Sequence, residues 1–293
     1  MVNRVFYHHE RDKQFSLDFV NPDLQAVGQR VVNYDGHKSV KVEEYELDRT
    51  VYVVYTASGA SGPADAMEYD LSEYIQSLSP ANSVIATRLV EVFRNVLEEN
   101  YEEEGKRVRA YKDISAEDIA PALNQVDWEG TATEVAGRLA SNLILKHPLP
   151  NANHRTSIGM AQLYLRRVDP DFSMPDTAIQ VDGAAEYDWM EWVNDYINRS
   201  KRLVTVRRKG DRFKYLENFG CDVLERKHEI EIRLDNYELD MQPSERWRHY
   251  AKKHEELWIE FTEDAVRRTG KTALLEADAL SKHEFAAELK DLE

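Results

Sequence analysis

One stretch carries a titratable base, two amides and a guanidinium in close succession: His147-Pro148-Leu149-Pro150-Asn151-Ala152-Asn153-His154-Arg155-Thr156. An imidazole titrating near neutrality can take a proton from a hydroxyl. A guanidinium grips phosphate oxygens with a fork that lysine cannot copy. The flanking patterns say how these groups are positioned. Thr131 and Glu134 form a capping-box pattern, and Val135, Leu139, Leu143 and Lys146 follow at helical spacing. Pro148 disfavours the α region for His147, so that helix ends there with the imidazole at its tip. Ile158, Ala161, Leu165 and Val168 then mark one apolar face of a second helix. The loop between delivers Asn153 and Arg155 to a helix N-terminus, where the macrodipole favours an anion. A base beside an anion pocket suits phosphoryl or nucleotidyl transfer. Taken alone, His147 reads first as an imidazolium capping a helix C-terminus, and it is Asn153 and Arg155 beside it that turn the reading to a base. His147 and His154 as a metal pair lack an evident third ligand.

The same stretch resembles the signature of the Fic/Doc (Fido) family. The pattern is H-P-F-x-[D/E]-G-N-G-R-x-x-R in the Fic branch and nearer H-x-F-x-D-A-N-K-R-T-A in the Doc branch, the closer of the two. His147, Pro148, Ala152, Asn153, Arg155 and Thr156 match, Leu149 stands for the Phe, and Ala136 to Leu143 resembles the helix leading in. The resemblance spans roughly residues 66–205, and it implies a Fido-like helical bundle. It also implies that His147 takes the proton of a target hydroxyl while Asn153 and Arg155, with Asn151, Ala152 and His154 around them, hold nucleotide phosphates. The implied donor is ATP or another nucleoside triphosphate, with Mg²⁺. Asn151 stands where the family carries the Asp or Glu that holds the metal, and a neutral amide is a poorer ligand for a hard dication. The implied activity is transfer of AMP or a phosphoryl group to a protein Ser, Thr or Tyr hydroxyl, in a toxin-like role with an inhibitory antitoxin chain as partner. The family's inhibitory pattern, [S/T]-x-x-x-E-[G/N], is missing at Glu99, Glu104, Glu129 and Glu217, each without Ser or Thr four residues earlier. A target-docking hairpin is expected within Glu104 to Lys112. The alternative is an inactive domain of this type, with Asn151 as the lesion, that binds a nucleotide or a protein.

Composition bounds the rest. The 293 residues are 42% hydrophobic and 31% charged, enough for a sizeable core in more than one domain. A net charge of −16 argues against a nucleic-acid partner, which needs concentrated basic surface. The short basic clusters at Lys106 to Arg109 and Arg207 to Lys209 read as solvated surface. No apolar run is long enough for a membrane span, and the N-terminus lacks the apolar core of a signal peptide, so the cytoplasm is expected. Cys221 is alone, which excludes an intrachain disulfide and favours a small buried residue.

The pattern predicts a mainly α protein with a β-rich N-terminal extension over 1–62 and a helical C-terminal region over 206–293, and the resemblance implies a Fido-like catalytic domain over 63–205 between them. Arg30 to Tyr34, Ser39 to Val42 and Thr50 to Tyr55 read as strands, with Asp35-Gly36 as a hairpin turn between the first two. Ser79-Pro80 starts a helix whose stripe is Ile85, Leu89, Val92 and Val96, and Ser115 and Asp118 cap a shorter one. Glu186 to Lys201 reads as a helix, with Trp189 and Trp192 as core anchors. Ser244 opens a long amphipathic helix stopped at Gly270, and Ser281 with Glu284 starts a last one.

Overall fold

A computed structural model of the protein describes residues 2–34, 38–58, 62–64, 71–105, 107–179 and 188–290. In chain order the elements begin with β1 (Arg4–Phe6), β2 (Ser16–Asn21), α1 (Leu24–Val32), β3 (Lys38–Glu46), β4 (Thr50–Ser58) and β5 (Gly62–Pro63). Next come α2 (Ser72–Ser77), α3 (Pro80–Glu104), β6 (Arg109–Ala110), α4 (Ile119–Asn124), α5 (Ala132–Lys146) and α6 (Asn153–Val168). The last are β7 (Ala178–Ile179), β8 (Asp188–Trp189), α7 (Glu191–Glu217), β9 (Val223–Glu225), β10 (Glu231–Arg233), α8 (Pro243–Arg268) and α9 (Lys282–Lys290). The protein is mainly helical, with small sheets. Among the described residues no helix is long and apolar enough to cross a membrane.

Two compact units divide the chain at other places than the expected 1–62, 63–205 and 206–293. One is Met1–Gly59 with Ser200–Lys252, the other Ala60–Arg199 with Lys253–Glu293. In the first unit β1 runs parallel to β9, and β10 pairs antiparallel with β9. The N-terminal strand therefore completes a sheet made by the C-terminal region, which is not purely helical. Strands this short and charged carry little local signal, and their pairing across the chain is what forms them. A second sheet has the order β2-β4-β3. Alternate residues Val51, Val53 and Tyr55 of β4 enter a core with Val5, Leu17, Phe213, Leu224 and Ile232. The Tyr55 hydroxyl donates to the Phe6 carbonyl at 2.6 Å, which pairs a buried polar tip. Cys221 is buried there too, and burial pushes its thiol up to about 12.

The strand expected over Arg30 to Tyr34 is instead the end of α1. Asp23 caps that helix through an N–H bond from Gln25 at 2.8 Å, and an exposed Val32 shows that its apolar run is not buried. The Asp35-Gly36 turn lies outside the described residues. The expected strands over Ser39 to Val42 and Thr50 to Tyr55 are present as β3 and β4, which pair antiparallel with each other.

In the second unit α5 is the central helix, buried along nearly its whole length from Ala132 to Leu145. The expected capping box is present: Glu134 N–H donates to Thr131 Oγ1 at 3.3 Å, and Thr131 N–H to Glu134 Oε2 at 2.8 Å. Gly137 allows a close helix crossing. A methyl there would lie 2.6 Å from the Ile259 backbone of α8, far inside van der Waals contact. Ser281 and Glu284 repeat the capping box at α9. The expected helix from Glu186 starts later, at Glu191, and α7 runs on well past Lys201; residues 186 and 187 lie outside the described set.

Candidate functional site

α5 ends as the pre-proline rule predicts, with His147 as its C-cap in the left-handed region at φ 56°. Ala152, the N-cap of α6, is left-handed as well at φ 53°. The six residues between the helices thus turn through two conformations that cost a side-chain-bearing residue roughly 1–2 kcal/mol each. What holds them is a set of amide bonds. Asn153, 3% exposed, accepts from the Leu149 N–H at 3.1 Å and donates to the Leu149 carbonyl at 2.9 Å. Asn151 Nδ2 donates to the Arg109 carbonyl at 2.7 Å, and Asn151 Oδ1 accepts from Ala152 N–H at 2.6 Å. Ser115 N–H donates to the Pro148 carbonyl at 2.8 Å, and Lys112 Nζ to the His147 carbonyl. Leu149 packs into a small apolar cluster with Ala64, Phe93, Leu97 and Ala110.

The two amides expected at phosphate are therefore engaged with backbone in this structure. Asn153 is a loop fastener, as its neighbourhood shows. The His147 ring is half-buried and stacks on Tyr111 with centroids 6.1 Å apart, and its Nε2 is 3.4 Å from the Tyr111 hydroxyl. His154 lies 6.0 Å from the Trp258 ring. The expected hairpin within Glu104 to Lys112 is instead the short strand β6, paired antiparallel with β5. Among the described residues no three His, Cys, Asp or Glu side chains are grouped to hold a metal ion.

Arg155 points elsewhere, into a cavity of about 470 Å³. Its walls are one face of α3 (Val92, Asn95, Val96, Glu99, Asn100), one face of α6 (Arg155, Ile158, Gly159, Gln162, Leu163, Arg166), the segment Met174 to Ala178, and Trp189. Arg155 Nη1 donates to the buried Asn100 Oδ1, and its guanidinium lies 5.7 Å from the Trp189 ring centroid. Gly159 brings the two helices together, since a methyl there would meet Val92 Cγ1 at 2.7 Å. The cavity is polar and charge-balanced, with Arg155 and Arg166 against Glu99 and Asp176. His147, Asn151 and Asn153 are not among its lining residues, so the ten-residue stretch is split between a fastened loop and a cavity wall.

Trp189 departs from the core-anchor expectation, for it sits on β8 and lines this cavity. No local pattern marked it, because the segments around it come together only in the tertiary fold. Trp192 does pack as an anchor, stacked 5.4 Å from Phe261 with its Nε1 donating to the Asp176 carbonyl at 2.9 Å.

The comparisons with known proteins correct the Fic/Doc resemblance. A family model described as a family of unknown function matches residues 1–293, and no Fic/Doc family matches. No curated protein matches the chain. No solved structure matches it either. The physical reason is visible in the loop: a few shared residue types also satisfy a tight helix–loop–helix turn, with Asn153 bonding backbone. The chain belongs to the family of unknown function DUF8172, across its whole length.

Proposed function

We propose that the second unit binds a nucleotide-class ligand, an aromatic base bearing phosphate, in the cavity between α3 and α6. The observation that carries this reading is the juxtaposition of Arg155 and Trp189 in the cavity lining, the guanidinium 5.7 Å from the indole centroid. A guanidinium supplies charge-assisted bonds to phosphate, about 1.5–3 kcal/mol. An indole face supplies base stacking, about 1–3 kcal/mol per base. The volume lies in the ~300–1,000 Å³ range of small-molecule sites. Glu99 and Asp176 in the same walls disfavour a bare dianion and favour a ligand with N–H donors on its base. Calorimetric titration of ATP, AMP and adenosine tests the reading. Binding that falls at least tenfold in Arg155→Met for the phosphates, and in Trp189→Ala for all three ligands, supports it. Absence of binding by all three overturns it.

Group transfer to a protein hydroxyl is the second reading, favoured by one observation. His147 is kept in a strained conformation at a helix end with its Nε2 beside the Tyr111 hydroxyl. In this reading the imidazole takes the hydroxyl proton as the oxygen attacks phosphorus of an ATP donor, and the phosphorus–oxygen bond to the leaving group breaks, releasing pyrophosphate when AMP is transferred or ADP when a phosphoryl group is transferred. Intact-mass analysis of lysate proteins after incubation with the protein and ATP reads the outcome. An added AMP or phosphoryl group that disappears with His147→Ala supports it, and unmodified proteins reject it.

A further inference from the structure

The β2-β4-β3 sheet of the first unit ends in two unlike edges. β2 is six residues long, and its register with β4 shifts between Leu17 and Phe19. β3 pairs with β4 over all nine of its residues, Lys38 to Glu46, with no break and no proline. No strand lies along its other side. Among the described residues no hydrogen bond from outside the sheet reaches a main-chain group of residues 38–46. The alternate N–H and C=O groups that point away from β4 therefore form a template for a further strand.

Val42, the middle residue of β3, lies opposite Val54 and is 42% exposed. Lys41 and Glu43 flank it on the other face, opposite Tyr55 and Val53. Lys41 Nζ donates to Asp12 Oδ2 at 3.0 Å, and Glu43 Oε1 lies 2.8 Å from His9 Nε2. Those contacts leave the Lys41 side chain 35% and the Glu43 side chain 50% exposed. Charges on an edge strand usually keep it from pairing. In β3 their order makes the strand complementary to its own copy. Residues directly opposite in an antiparallel pair point to the same face, so a two-fold pairing of β3 with itself must set one residue against its own copy. Lys41, Glu43 or Glu44 at that axis would put like charges opposite each other, which is destabilising. Val40 at the axis would leave Glu43 to Glu46 beyond the end of the partner strand. Val42 at the axis brings all nine residues into register, sets Val42 against Val42, and sets Lys41 against Glu43 on both sides of it.

We propose that β3 is a self-association edge, at which two copies of the chain pair their β3 strands antiparallel about Val42 and join two sheets into one. The pairing supplies about eight to ten main-chain hydrogen bonds over a span of about 30 Å. Lys41 of each copy meets Glu43 of the other, so that Asp12, Lys41, Glu43 and His9 run in sequence across the junction. The exposed Val42 side chains cover each other at its centre.

Sedimentation velocity of the full chain, from micromolar to near-millimolar concentration, reads the association. The wild type is expected to form dimers, with amide exchange at residues 38–46 slowing as concentration rises. Lys41→Glu and Glu43→Lys each set like charges across the axis, and each is expected to weaken the dimer by about tenfold or more at unchanged unfolding midpoint. An equimolar mixture of these two variants restores both opposite-charge pairs, so a heterodimer close to wild-type affinity is expected. A variant that merely disturbed the sheet would not be rescued by mixing. Val42→Asp, at an exposed position, puts two carboxylates at the axis and is expected to abolish the dimer. Should either charge variant fail to fold, Val42→Asp and the exchange map decide the matter. A wild type that stays monomeric throughout overturns the inference. So does a dimer of equal affinity in all the variants, a mixture that stays monomeric, or concentration-dependent protection that spares residues 38–46.

Discussion

The four non-glycine residues in the left-handed region, among those described, fall into two loops. His147 and Ala152 bracket the turn between α5 and α6, while His228 and Glu229 stand side by side in the turn between β9 and β10. The strain is of the same kind in both, and the means of holding it differ. The first loop is fastened mainly by neutral amides, with Asn153 bonding both the N–H and carbonyl of Leu149 and Asn151 reaching Arg109, and the Lys112 ammonium adds a bond to the His147 carbonyl. The second is held by ionisable groups, with His8 accepting from Lys227 N–H and Arg226 donating to the Lys201 carbonyl within α7. A loop fastened by amides is indifferent to pH and leaves no charge in need of a partner. One held by histidine and arginine depends on protonation and gathers positive charge around itself.

The largest effect expected from breaking this contrast is at Asn153. Replacing it with alanine leaves the buried Leu149 N–H and carbonyl without a side-chain partner, and each such loss costs about 1–3 kcal/mol. Chemical denaturation of Asn153→Ala is expected to show a loss of about 3 kcal/mol, equal at pH 5 and pH 7. A loss below about 1 kcal/mol would show that the loop keeps its shape without the amide.

The second loop is expected to answer to pH. His8 has its folded pKa held well below the ordinary 6.5, first by burial and then by the surrounding cations. Above about 6.5 both folded and unfolded chains carry it neutral, and its contribution is complete. Below that the unfolded state gains the proton first, so stability falls towards a folded value of about 2. The slope is about 1.4 kcal/mol per pH unit, hence roughly 2 kcal/mol between pH 7 and pH 5. His8→Gln keeps an acceptor for Lys227 N–H and is expected to remove that part of the acid sensitivity. Identical pH profiles for the two chains would take His8 out of the account.

A smaller effect of opposite sign is expected at Lys201. Its folded pKa is depressed, so at pH 7 the fold carries an ammonium that the unfolded chain hydrates better. Lys201→Met is expected to raise the unfolding midpoint by about 2–4 °C, for roughly 1 kcal/mol, in phosphate-free buffer. A lowered midpoint in the variant would mean that the ammonium is already well paired.

The smallest effect tests the strain itself. Glu229 is exposed at φ 56°, so Glu229→Gly relieves the left-handed cost with few contacts to lose. A net gain of about 0.5 kcal/mol is expected once the greater entropy of unfolded glycine is offset. Denaturation that shows a loss instead would reveal a contact through the Glu229 side chain.

What the sequence determined by itself was whatever acts over one or two helical turns. The Thr131 and Glu134 capping box, the stop at His147 before Pro148, the start of α3 at Pro80 and the capping box of α9 all depend on neighbours a few residues apart. So do the apolar stripes of α6 and α8, whose buried positions follow the helical repeat. The tertiary structure decided whatever depends on residues remote in the chain. β1 exists because β9 lies beside it, and Trp189 joins Arg155 because the segment leading into α7 lies along α3 and α6. The side chains of the ten-residue stretch divide for the same reason. Their types made a base, amides and a guanidinium legible, but hydrogen bonds from Arg109 to Ser115 across the loop set which groups face a cavity and which fasten backbone. Local spacing cannot encode that choice, because a buried amide bonds whatever partner the packing brings within about 3 Å.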